Sequence, residues 1–118
     1  MRKNNYIALA RKASNIQINE LKKIKKVFNH SFVKAVDLIL NCKGKVIFAG
    51  VGKSGLIAKK ISATFSSVGI PSFFCDPAQA LHGDMGQIEK KDILIIFSYS
   101  GNTSELNNML KYANRFRI

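Results

Sequence analysis

Apolar residues recur along this chain in two rhythms. In the first third the rhythm is helical: Leu21, Ile24, Val27 and Phe28 fall on one stripe of a helix expected over residues 5–28, with lysines opposite. Asn29 or Ser31 can end that helix and start another, whose stripe is Val33, Val36, Ile39 and Leu40, up to Cys42. Beyond it, short solid apolar runs alternate with helical stretches. Strands are expected at 45–49, 72–75 and 93–97. Between the first two, a helix after Ser54 carries the stripe Ile57, Ile61, Phe65 and Val68, and Gly69 with Pro71 stops it. A short turn or helix spans 78–85, and a last helix aligns Leu106, Met109, Leu110 and Ala113. Solid apolar runs, rather than alternation, mark strands covered on both faces.

Strand–helix alternation calls for a parallel sheet with right-handed crossovers. The expected fold is α/β: an incomplete doubly wound, flavodoxin-like sheet of strand order 2-1-3, preceded by two helices. Residues 1–43 would form the helical segment and 44–118 the sheet domain. In such a sheet, strands one and three are neighbours at a topological switch point, and ligands bind outside their carboxyl ends.

Both strand ends there carry phosphate-type turns. The first strand runs into Gly50-Val-Gly-Lys-Ser-Gly55 and the third into Ser98-Tyr-Ser-Gly-Asn-Thr-Ser-Glu105. Glycines let backbone approach a ligand, and free N–H groups of the next helical turn point at it. Two such turns side by side suggest a phosphorylated ligand held between them. Gly50, Gly52 and Gly55 also match the dinucleotide fingerprint, with Asp76 about where a ribose-binding acid would lie. Against a nicotinamide cofactor stand Lys53 and Ser54 inside the turn, and a second phosphate-type turn that would be redundant. A P-loop fails, because Ile47 occupies the position where that pattern demands glycine.

Lys53 near a helix start opposes the helix dipole by about 0.3–1 kcal/mol, a cost that an anionic ligand would offset. Ser98, Ser100, Thr103 and Ser104 crowd hydroxyls around the second turn. Ordinary capping, with Asn102 as N-cap and Glu105 closing a capping box, would explain part of this. Four hydroxyls exceed what capping needs. His82 lies in a polar loop after strand two, at the same sheet edge; His30, between two helices, suggests no chemistry.

Composition narrows the classes. Hydrophobic residues make up 47% of 118, enough for one globular domain that buries about two thirds of its unfolded surface. The formal net charge of +12, from 19 Lys and Arg against 7 acids, raises nucleic-acid binding. Yet eight of those cations lie in residues 1–26, with Glu20 the lone acid there, and no aromatic-interleaved basic stripe follows. A solvated basic face is the expectation, with no specific nucleic acid as partner. Cys42 and Cys75 have no CxxC or histidine-rich company, which argues against a metal site and a disulfide framework and for a reducing, cytoplasmic setting. The N-terminal apolar stretch is too short for a secretory or membrane segment, so no membrane association is expected; a basic transit peptide is the second reading of that end.

Several of these stretches, in order, closely resemble the sugar isomerase (SIS) domain, and specifically the D-arabinose 5-phosphate isomerase family. They are Cys42-Lys-Gly-Lys-Val46, the first glycine turn, Ala63-Thr-Phe-Ser-Ser-Val-Gly-Ile-Pro-Ser-Phe-Phe74, Ala80-Leu-His-Gly-Asp-Met-Gly86 and the serine turn. The resemblance implies interconversion of D-arabinose 5-phosphate and D-ribulose 5-phosphate without a cofactor, feeding the Kdo sugar of lipopolysaccharide, in a homo-oligomer. Proton transfer through an enediolate needs an acid/base group and oxyanion stabilisation. Carried over by motif, Ser98, Ser100 and Thr103 hold the phosphate, with Gly52, Ser54 and Gly101 in the same turns; Lys53, His82 and Glu105 line the sugar as catalytic candidates. Lys53 suits phosphate or oxyanion stabilisation, His82 and Glu105 orient hydroxyls or move protons. The family also uses a glutamate and a histidine further along its domain, which these 118 residues do not include. The expectation is an amino-terminal piece of such an isomerase that binds sugar phosphate without turning it over. A non-catalytic sugar-phosphate module and a nicotinamide-binding domain are the alternatives.

Overall fold

The computed structural model describes residues 4–118, which fall into two compact units, the first ending at Asp37 and the second spanning Leu38–Ile118. The first unit is helical. Helix α1 (Asn4–Lys23) tightens into a 3-10 turn at Ile24–Val27, so the single helix expected to residue 28 ends earlier than its stripe implies. Lysines at 22, 23, 25 and 26 crowd like charges into that stretch, which weakens helix propagation there. Asn29 then caps α2 (His30–Leu40), its Oδ1 accepting the N–H of Ser31 at 2.9 Å.

The second unit is built on three parallel strands, β1 (Val46–Gly50), β2 (Ser72–Cys75) and β3 (Ile93–Phe97), in the order β2-β1-β3. Register pairs Phe48 with Phe74 on one side and with Ile95 on the other, and Gly50 with Phe97 at the carboxyl end. Every residue of β1 is buried, because β1 is flanked by both other strands and covered on both faces. Its side chains alternate between two cores. Val46 and Phe48 join Ala58, Ile61 and Phe65 of α3 (Gly52–Ser67), and the Phe48 ring meets Phe65 edge-on at 5.0 Å. Ile47 and Ala49 join Leu106 and Met109 of α5 (Ser104–Phe116), together with Ala80 of the short α4 (Pro77–Ala80). A 3-10 turn at Asp84–Gln87 completes the connection between α4 and β3.

The helix after β1 therefore covers one face of the sheet and the helix after β3 the other. Their divergence opens the crevice at the switch point. Two local expectations change. Helix α3 begins at Gly52 rather than after Ser54, and its buried stripe is Gly55, Ala58 and Ser62, flanked by Ile61 and Phe65. Ile57 and Val68 stay 57% and 69% exposed. The reason is how closely α3 approaches β1. A Cβ built on Gly55 would stand 2.5 Å from the Gly50 carbonyl oxygen, so small residues, not large apolar ones, face the strand. In α5, Leu106, Met109 and Ala113 are buried as expected, whereas Leu110 is exposed.

The opposite end of the sheet is fastened by Asp92. Its carboxylate is buried and accepts the backbone N–H of Lys45 and of Glu89, each at 2.8 Å. Lys45 Nζ lies 3.3 Å from it and 3.4 Å from Glu89. Asp92 thus ties the start of β1 to the start of β3, and sets the register that brings Gly50 beside Phe97.

Candidate functional site

Both turns at the carboxyl edge are shaped by local chemistry. Val51 is extended, Gly52 takes φ 59°, and α3 starts there with no side-chain cap. A positive φ leaves glycine as the ready choice and turns the first helical N–H groups toward the crevice. In the second turn, Ser98 Oγ accepts the N–H of Gly101 at 2.9 Å, and Ser100 Oγ accepts that of Asn102 at 3.3 Å. Gly101 takes φ 70°, and α5 follows from Thr103.

The capping box expected between Asn102 and Glu105 does not form. Thr103 is the N-cap, without a side-chain cap bond, and Asn102 Oδ1 instead accepts from Asn107 Nδ2 at 3.3 Å. Glu105, in the first turn, accepts from Ser104 Oγ at 2.8 Å. Its own backbone N–H and that hydroxyl hold its carboxyl below the usual range. The helix starts one residue later than the box requires, because the two serine hydroxyls have already turned the chain.

Two adjoining hollows result, with Val51 as their common wall. One, of about 270 Å³, is lined by Ser54, Ser98, Ser100 and Thr103 and contains no carboxylate. The other, of about 300 Å³, is lined by Gly50, Gly52, Lys59, Asp76 and Glu105, over Phe74. Each approaches the small end of ligand-site volumes. Nine of the residues singled out from the sequence thus line these two hollows: Gly50, Gly52, Ser54, Gly55, Asp76, Ser98, Ser100, Thr103 and Glu105. Gly101 shapes the serine turn without lining either hollow. Lys53 is exposed in the first turn of α3, and His82 is exposed beyond α4, its backbone N–H donating to Gln79 O at 2.8 Å; neither lines either of these two hollows. Lys59 was not anticipated. Its signal was its helical spacing from Gly52 and Gly55, which puts it on the same side of α3.

Strand order, the divergent helices and the paired turns define an α/β fold with a crevice at its switch point. The SIS domain family matches residues 39–118, and the chain belongs to that family. Among curated relatives, the "Probable arabinose 5-phosphate isomerase" of Haemophilus influenzae is 40% identical over 115 residues, covering 98% of this chain and 34% of that protein. Arabinose 5-phosphate isomerase GutQ of Escherichia coli K12 is 47% identical over 92 residues, 78% of this chain and 29% of that one. The chain therefore spans about a third of the length of these relatives. A Listeria monocytogenes structure, named as a candidate sugar-phosphate isomerase, superposes with TM-score 0.92 at 33% identity, over 99% of this chain and 62% of that one. An Escherichia coli CFT073 protein solved in complex with arabinose 5-phosphate gives 0.82 at 38% identity, over 98% and 62%. The 2-1-3 parallel sheet with its preceding helices is thus the SIS arrangement. No helix among the described residues is long and apolar enough to cross a membrane.

Proposed function

We propose that this chain binds a pentose 5-phosphate across the two hollows, as the amino-terminal part of an arabinose 5-phosphate isomerase site. The observation that carries the reading is the contrast between neighbours at one switch point. A phosphate dianion suits the acid-free hollow, where four hydroxyls meet helix-start N–H groups. The adjoining cleft carries two carboxylates, Asp76 and Glu105, which repel phosphate but accept hydrogen bonds from sugar hydroxyls. Ser98, Ser100 and Thr103 hold the phosphate, with Ser54 and the turn at Gly101, while Gly52 lines the neighbouring sugar cleft. Glu105 faces the sugar. Lys53 reaches phosphate or a developing oxyanion by side-chain rotation, and His82 approaches only if its loop moves.

These residues hold substrate better than they turn it over. With its pKa lowered, Glu105 stays a carboxylate at neutral pH and is a weak base toward a carbon acid. It orients a hydroxyl more readily than it moves the C2 proton. The 118-residue chain alone should bind without isomerising arabinose 5-phosphate to ribulose 5-phosphate; with the rest of a family site, the chemistry would supply the Kdo sugar from the cytoplasm. A nicotinamide cofactor is disfavoured, because Glu105 lines the cleft beside the glycine turn where its pyrophosphate would sit, although Asp76 stands where a ribose-binding acid would.

Titration with arabinose 5-phosphate or inorganic phosphate should shift amide signals of residues 98–105, and Ser100→Ala should weaken both ligands. NAD should shift nothing. Unchanged signals at millimolar sugar phosphate, in a folded sample, would remove the proposal. Ribulose 5-phosphate formation at the rate of a full-length relative would remove its non-catalytic half.

A further inference from the structure

We infer that Asp76 orients the sugar part of the ligand, its carboxylate accepting a hydrogen bond from a hydroxyl of the phosphorylated polyhydroxy chain. The inference rests on the sugar-phosphate reading of the two hollows and assigns the acid-lined one its specificity. Asp76 follows β2 directly, and its neighbour Cys75 pairs in register with Ala49, one residue before Gly50. Glu105 opens the helix after β3, on the other side of β1. The glycine turn is thus flanked by a carboxylate on each side, both lining one cleft of about 300 Å³.

Asp76 is held in place before any ligand arrives. Its Oδ1 accepts the N–H of Ala78 at 2.9 Å, and the buried Pro77 fixes the backbone that follows. That leaves Oδ2 for the cleft. Glu105 is arranged alike, its Oε2 taken by Ser104. Two preset acceptors spaced across a narrow cleft fit a run of hydroxyl donors, and presetting spares the ordering cost of binding. Lys59 on the same wall supplies a cation, so the pair does not demand an ammonium from the ligand. Phosphate is placed in the hydroxyl-lined hollow, which has no carboxylate. Asp76 therefore reads the sugar and is indifferent to the phosphate.

The test compares inorganic phosphate with arabinose 5-phosphate on the 118-residue chain, by calorimetry or amide shifts, in wild type, Asp76→Asn and Asp76→Ser. Both substitutions keep a side chain that caps α4, and both remove the negative charge of Asp76 from the cleft lining. The expected result is unchanged phosphate affinity, and arabinose 5-phosphate weakened about tenfold or more by loss of one charge-assisted bond. An unchanged ratio of the two affinities in both variants overturns the role of Asp76 and leaves the sugar-phosphate site standing. Equal loss for both ligands overturns it too, since that marks a structural effect. A wild-type chain that binds neither ligand overturns the site and this inference together.

Discussion

Replacing Asp92 by alanine removes a buried carboxylate that accepts two backbone N–H groups and faces the Lys45 ammonium. The side chain is 0% exposed, so the variant leaves both N–H groups without their buried acceptor. Each backbone bond to a charged acceptor contributes about 1.5–3 kcal/mol, and an orphaned buried donor costs about 1–3 kcal/mol. A loss of about 3–5 kcal/mol is expected, much of the 5–15 kcal/mol typical of domain stability. Asp92→Asn keeps one acceptor and should cost about half as much. The pH dependence gives a second reading. Burial alone would raise the Asp92 pKa, but the N–H bonds from Lys45 and Glu89 and the nearby ammonium outweigh it, and the net shift is downward. A depressed carboxylate contributes stability that is present above its unfolded pKa of about 3.9 and is lost as pH falls through the folded value. The gap between wild type and Asp92→Asn should therefore be widest near pH 7, begin to narrow as pH nears the unfolded value, and close only as pH falls through the depressed folded one. Urea melts followed by circular dichroism at pH 7, 5 and 3 measure it. An alanine variant as stable as wild type at pH 7, or an asparagine gap that does not vary with pH, would refute the reasoning.

Gly55→Ala puts a methyl group 2.5 Å from the Gly50 carbonyl oxygen, and should cost about 1–3 kcal/mol while disturbing the first turn; wild-type stability with undiminished phosphate binding would contradict it. Among the described residues, strand β3 has no strand partner on its outer side and bears Ile-Leu-Ile-Ile-Phe without charge or proline, so the chain should self-associate as concentration rises. Light scattering that finds a monodisperse monomer at high concentration counts against this. Cys75, whose thiol is pushed up to about 11 by burial and by Asp84 and Asp76, should resist iodoacetamide at pH 8 in the folded protein. Modification of Cys75 as fast in the native as in the denatured protein would show the thiol to be accessible.

Local pattern carried much of this structure. Apolar runs of four or five residues, each followed by a helical period, determined three strands and their order of appearance; β2 and β3 lie where the pattern put them. The two glycine- and serine-rich turns were equally legible, because backbone geometry at a strand end depends mainly on residues a few positions away. What needed the tertiary structure was which side of each element faces what. Ile57 and Val68 look like core on a helical wheel, yet Gly55, Ala58 and Ser62 are inside, and at Gly55 the approach of α3 to Gly50 of β1 leaves no room for a side chain. Asn102 reads as a cap, but two serine hydroxyls had already turned the chain, and Thr103 took the position. Lys59 and Asp76 are 17 positions apart and share a cleft only because β1 and β2 are paired. Sequence alone determined the turns that can hold an anion. The parallel register determined that they stand together, with a carboxylate on either side, since only strand pairing converts distance along the chain into adjacency.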